Sequence, residues 1–170
     1  FAPDARTQTL QVAAPSRWRQ FSEYVRHGVW HIWIGFDHIL FLLSLLLPAV
    51  LWRQARRWES AHSFRAVFVD VGKVVTAFTL AHSITLSLAA LSIVVLPSRL
   101  VESAIALSVV LAALNNLFPV VRHGRWMAAF AFGLVHGFGF AGALADLGLP
   151  RGALALSLAS FNVGVEAGQL

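Results

Sequence analysis

The chain has 170 residues, of which 58% are hydrophobic and only 12% are charged, and its mean hydropathy is +0.70. Soluble globular domains carry roughly 25% charged residues, so this composition excludes that class and indicates an integral membrane protein. The net charge of +5 does not indicate nucleic-acid binding, because the basic residues lie between apolar runs. Cysteine is absent from the sequence, so any bound metal must be held by nitrogen and oxygen ligands.

The first 26 residues are polar and mixed, without the apolar stretch of a signal peptide. We interpret residues 1–26 as a polar extracytoplasmic linker and residues 27–170 as a transmembrane helical domain. The sequence begins without methionine and stops inside an apolar run, which predicts that further helices follow.

Five apolar segments come after the linker, at about 28–51, 66–96, 100–118, 126–145 and 153–170. Each approaches or exceeds the roughly 20 residues that a helix needs to cross the hydrocarbon core of a bilayer. Because unpaired backbone groups are excluded from lipid, all the segments are predicted to be α-helices. The predicted fold is therefore an all-α, polytopic transmembrane helical bundle.

Arginines in the short loops predict the orientation of the bundle. The loops after the second and fourth segments carry only Arg99 and Arg151. Six arginines lie in the loops after the first and third segments: Arg53, Arg56, Arg57, Arg65, Arg122 and Arg125. Cytoplasmic loops are enriched in Lys and Arg, so the N-terminus is expected outside a bacterial inner membrane.

The first apolar segment contains three polar residues that commonly bind metals or protons, namely His31, Asp37 and His38. A charged residue at the centre of a membrane helix costs roughly 2.5 to 3.5 kcal/mol on insertion scales, so such residues are usually functional. At 100° per residue, the two histidines fall on one helix face and Asp37 lies beside it.

Later segments add further polar groups at membrane depth, including His82, His136 and Glu166. Imidazole suits nickel, cobalt, copper and zinc, and a nearby carboxylate lowers the net charge of a bound cation. We therefore predict that these residues share a function, for which our hypothesis is the binding of a divalent transition metal. In this hypothesis His31, Asp37 and His38 form an entry or central site, and His82 and His136 complete the coordination.

Two other functions agree with the same residues. A metal-dependent intramembrane hydrolase could use zinc with Ser83 or Glu102 assisting, although the sequence contains neither HExxH nor GxSxG. A membrane subunit could also hold the metal without moving it.

Asp70 and Lys73, three residues apart, are predicted to form a local ion pair. The hydroxyl and amide side chains of several segments could serve only to link helices: Ser83, Thr85, Ser103, Asn115 and Asn116.

Several sequence blocks resemble the HupE/UreJ family of membrane proteins, which are regarded as secondary nickel or cobalt permeases. The blocks are HIWIGFDHILFLL, with its H-x5-D-H arrangement, followed by FTLAHSITL, VESAIALS, FGLVHGFGFA and FNVGVEAGQL. The resemblance implies that His31, Asp37 and His38 match the proposed metal-binding signature of the first helix. One difference is Ile32, which stands where family members usually have proline. The resemblance also adds to the expected metal ligands the residues that match polar positions of the other blocks: His82, Glu102, His136, Asn162 and Glu166.

The expected function is thus a permease for a divalent transition-metal ion, most consistent with nickel or cobalt and compatible with copper or zinc. The expected partners are the metal ion and the lipid bilayer, without nucleic acid. A homo-oligomer is left open.

Overall fold

The computed structural model describes residues 16–54, 57–60, 63–121, 124–140 and 151–170. The helices in these ranges are α1 (Arg17–Ile34), α2 (Phe36–Val50), α3 (Phe64–Ala90), α4 (Ser98–Leu117), α5 (Arg125–His136) and α6 (Arg151–Gln169). One short antiparallel hairpin joins α2 to α3, formed by β1 (Leu51–Gln54) and β2 (Arg57–Ser60), with Leu51 opposite Ser60. The predicted helical fold class is confirmed.

Serine caps begin two of the helices. The Ser16 side chain accepts a hydrogen bond from the Arg19 N–H at 3.3 Å, and Ser63 does the same for the Ala66 N–H at 3.4 Å. Because Ser16 starts α1 at Arg17, residues 17–26 are helical although the sequence analysis assigned them to a linker. For residues 1–15, outside the described ranges, the linker stays a prediction.

The first predicted helix is in fact two helices that meet at Gly35. The chain bends by 74° there, because Gly35 adopts an extended conformation with φ −78° and ψ 98°. A Cβ atom on Gly35 would lie 2.7 Å from His38 Nδ1, so the missing side chain leaves room for the imidazole at the bend. The prediction of one continuous helix over 28–51 is therefore wrong.

Fewer helices than predicted qualify as membrane spans. Among the described residues, α3 and α4 are long and apolar enough to cross a bilayer, and the bent pair α1–α2 would add a third span. The expectation of five apolar spans is corrected for two reasons. The polar side chains of α6 dilute its hydropathy, and α5 ends at His136, where a turn begins. The remainder of the predicted fourth segment, 141–145, lies outside the described residues.

Two apolar clusters hold the helices together. The first joins α1, α3 and α6 through Ile32, Leu86 and Phe161, and the second joins α2, α3 and α5 through Phe41, Phe78 and Ala129. In a bilayer such contacts stabilise the fold through van der Waals packing between helices, because lipid chains are as apolar as these side chains. The candidate site described below lies between these clusters.

The ion pair predicted between Asp70 and Lys73 is replaced by a pair between helices. Asp70 of α3 instead accepts a hydrogen bond from Arg125 at the start of α5, while Lys73 is exposed. The Arg125 side chain is only 14% exposed, so loss of Asp70 would leave a poorly hydrated charge without its partner.

Candidate metal site

Three histidines from three different helices converge at the α1–α2 bend. His31 lies in the last turn of α1, His38 in the first turn of α2 and His82 within α3. One ring nitrogen from each histidine lies within 4.8 Å of the other two. We call this group the three-histidine site. Its nitrogens are close enough that modest side-chain movements could place all three around a single cation.

The three-histidine site is enclosed by aromatic rings. The His31 ring centroid lies 4.5 Å from that of Phe140 and 5.4 Å from that of Phe161. On the α3 side, the Phe78 and His82 rings stack at 6.0 Å. His82 is fully buried, and His38 is 6% exposed. The site therefore has a low local dielectric, in which interactions with a cation are stronger than in water.

Several imidazole nitrogens of the site have no hydrogen-bond partner in the described part of the chain. They are Nε2 of His31, both ring nitrogens of His38 and Nε2 of His82, and all of these atoms are buried. More than 90% of buried backbone polar groups and most buried side-chain polar atoms are hydrogen-bonded, so an unsatisfied cluster requires an explanation. A cation with a preference for imidazole would satisfy these nitrogens together.

Asn162 of α6 contacts the site from the opposite side of His82. His82 Nδ1 and Asn162 Oδ1 are 3.4 Å apart, and Asn162 Nδ2 donates to the Leu158 carbonyl at 2.9 Å. Asn162 is one of the metal ligands that the family resemblance implies. The structure places Asn162 beside Nδ1 of His82, whereas the ring nitrogen without a hydrogen-bond partner in the described residues is Nε2.

His136 of α5 lies next to the three-histidine site without joining it. Its ring centroid is 5.3 Å from that of His38, and its Nε2 is 2.8 Å from Ser108 Oγ on α4. The Ser108 hydroxyl donates to the Ile105 carbonyl at 2.6 Å, so it accepts a hydrogen bond from His136. Ser108 was missed in the sequence analysis, because one serine in an apolar helix carries no distinguishing pattern.

The three predicted carboxylates do not converge on the histidines. Asp37 is exposed in the first turn of α2, although it lies close enough to interact electrostatically with His31 and His38. Glu102 is exposed near the start of α4. Glu166 is half-buried on α6 and accepts a hydrogen bond from Thr76 at 2.7 Å. The predicted ligand set is thus divided between one compact histidine group and separate polar contacts.

Helical spacing alone gave an incorrect picture of how His31 and His38 meet. The periodicity of one continuous helix predicts both histidines on the same face, whereas they lie on either side of the bend at Gly35. Their ring centroids are nevertheless 4.6 Å apart. The signal for this arrangement was Gly35 itself, a glycine between two histidines in an otherwise apolar run.

A helical bundle with membrane-spanning helices and a buried imidazole cluster defines an α-helical integral membrane protein with a candidate metal site. A family model described as "HupE / UreJ protein" matches residues 6–170, and the chain belongs to the HupE/UreJ family. This membership implies a nickel- or cobalt-associated membrane protein. Neither a curated protein nor a solved structure matches the chain.

Proposed function

We propose that the protein is a secondary transporter for a divalent transition-metal ion, with nickel or cobalt as the favoured substrates. The observation that carries the proposal is the three-histidine site, whose buried nitrogens lie within 4.8 Å of one another in a membrane protein. Imidazole binds nickel, cobalt, copper and zinc well, and family membership favours the first two.

The composition of the site suits an ion that must be released again. Three imidazoles supply fewer ligands than the octahedral shell of an aqueous metal ion, and the protein has no thiolate to hold the ion more tightly. A transport site must bind strongly enough to replace water and weakly enough to let the ion leave. The location at a helix break also matches transporter sites, which often use discontinuous helices. A change in the α1–α2 angle would separate His31 from His38.

Neutral imidazoles leave the charge of the cation uncompensated, so nearby negative groups should contribute. The two helix ends at the bend oppose each other, because the C-terminal end of α1 favours a cation and the N-terminal end of α2 disfavours it. Asp37, immediately before His38, adds a full negative charge within electrostatic reach. We therefore propose that the exposed Asp37 side chain compensates part of the charge of the bound cation.

The hydrolase alternative finds less support in the positions of its assisting residues. The Ser83 hydroxyl donates to the Thr79 carbonyl at 2.6 Å, within its own helix, and Glu102 is exposed on α4. General-base catalysis needs a group within hydrogen-bond reach of the metal-bound water. Transport requires no such base, so we prefer the permease.

Uptake into proteoliposomes tests the proposal. The full chain would be reconstituted with a metal-sensitive dye inside, and nickel, cobalt, copper and zinc would be supplied outside. His31→Ala, His38→Ala and His82→Ala should each lower metal affinity and uptake by about 10-fold or more. The matched control is His27→Ala, because His27 is exposed on α1 and lies outside the site.

Wild-type binding and uptake of all four metals by all three site variants would refute the proposal. One tightly bound zinc without flux would instead favour the hydrolase. Asp37→Asn in the same assay should reduce uptake of nickel, cobalt and copper without abolishing binding, because it removes charge but no site imidazole. Unchanged uptake of all three metals would exclude the role of Asp37.

A further inference from the structure

We infer that Asn162 is a positioning residue that holds His82 in the tautomer whose Nε2 can bind the metal. This inference rests on the proposed function of the three-histidine site. It assigns to Asn162 a contact with the histidine instead of a contact with the ion. A neutral imidazole carries one N–H and one free lone pair, and only the nitrogen with the lone pair can bind a metal.

The hydrogen bonds of Asn162 determine which of its amide atoms faces His82. Nδ2 donates to the Leu158 carbonyl 2.9 Å away, one turn earlier on α6. The opposite atom, Oδ1, therefore faces His82 Nδ1 at 3.4 Å. An amide oxygen only accepts hydrogen bonds, so Nδ1 must carry the proton.

With the proton on Nδ1, the lone pair of His82 lies on Nε2. This nitrogen is buried and has no hydrogen-bond partner in the described part of the chain. The other tautomer would place the Nδ1 lone pair against the Asn162 oxygen, where two acceptors repel each other. Asn162 thus favours the form of His82 that presents a free nitrogen to the metal.

Asn162 lies on α6, which is packed against two neighbouring helices. α6 packs closely against α1, because Gly28 and Gly164 allow their backbones to touch. On the α3 side, Thr79 donates to Gln169 Oε1 at 3.2 Å and Thr76 donates to Glu166. These contacts hold α6 against α1, which carries His31, and against α3, which carries His82. Partners that orient metal-binding histidines typically change metal affinity by about 10- to 100-fold when they are removed.

Three substitutions in the full chain separate positioning from direct coordination. Asn162→Leu removes the acceptor, whereas Asn162→Asp keeps an acceptor for His82 Nδ1–H and loses the donor to the Leu158 carbonyl. The control is Ser160→Ala, because the buried Ser160 hydroxyl donates only to the Leu156 carbonyl of its own helix. Cobalt is the probe, since its absorption spectrum reports the ligand set.

Asn162→Leu should weaken cobalt binding by about 10- to 100-fold, while the bound ion keeps the wild-type spectrum at saturation. Asn162→Asp should bind cobalt more tightly than Asn162→Leu, because it keeps the acceptor for Nδ1–H, and Ser160→Ala should be unchanged. In the His82→Ala background, Asn162→Leu should cause no further loss, because Asn162 acts through His82. That dependence is a readout that a purely structural role would not produce.

Wild-type affinity in Asn162→Leu, or a saturated spectrum with an altered ligand set, would overturn the inference. If Asn162→Leu fails to fold, Asn162→Ala takes its place, and wild-type cobalt affinity in Asn162→Ala would overturn the inference equally. Different results would refute the three-histidine site and the positioning role of Asn162. Unchanged cobalt binding in His82→Ala would refute the three-histidine site, whereas loss in His82→Ala with none in Asn162→Leu would refute only the role of Asn162.

Discussion

Gly28→Ala examines the close contact that positions α1 against α6. Gly28 is buried, and the backbone of α6 lies where its Cβ atom would be: Val165 N at 2.8 Å and Gly164 C at 2.9 Å. Real Cβ atoms essentially never approach other heavy atoms closer than 3.0 Å, and the opposing atoms are backbone. The two helices must therefore separate to admit a methyl group.

The net effect on stability follows from two opposing contributions. Alanine favours a helix over glycine by about 1 kcal/mol. Overpacking of a close interface costs about 1 to 3 kcal/mol, and the rigid backbone of α6 favours the upper part of this range. We expect Gly28→Ala to lower the free energy of unfolding by about 1 to 2 kcal/mol. Because His31 lies one turn later on α1, the displacement should also weaken metal binding.

The control is Gly72→Ala on α3, where no heavy atom lies within 4 Å of an added Cβ. Gly72→Ala should leave stability unchanged or raise it by up to about 1 kcal/mol, because only the helix propensity changes. Unfolding of both variants in detergent, with and without nickel, measures the difference. If Gly28→Ala is as stable as Gly72→Ala and binds nickel normally, the close α1–α6 contact is refuted.

Two further substitutions test contacts between other helices. Arg125→Ala should destabilise the protein by about 1 to 2 kcal/mol, a figure reduced because Asp70 is 40% exposed and therefore screened. Lys73→Ala should have no measurable effect, and equal losses from both would contradict the observed pairing. Asn116→Ala removes the Nδ2 donor to the Ser44 carbonyl at 2.8 Å, which joins α4 to α2. A loss of about 0.6 kcal/mol is expected in the same unfolding assay, and an unchanged midpoint would show that this hydrogen bond contributes nothing.

The helical membrane class and most helix positions could be predicted from the sequence, because hydropathy and segment length are local properties. The predicted segment 100–118 corresponds closely to α4, and 153–170 corresponds to α6. The number of membrane-spanning helices was predicted less accurately. The polar side chains that lower the hydropathy of α6 can be read from the sequence, whereas the bend at Gly35 and the end of α5 at His136 are visible only in the structure.

The sequence by itself determined that buried histidines and the absence of cysteine favour nitrogen and oxygen ligation of a metal. Only the tertiary structure decided that His31 and His38 meet across a bend and that His82 joins them. It also placed His136 beside this group, with Nε2 against Ser108 and Nδ1 buried without a hydrogen-bond partner in the described residues. Convergence of side chains from different helices depends on crossing angles and close backbone contacts, and no periodicity within one segment encodes those distances.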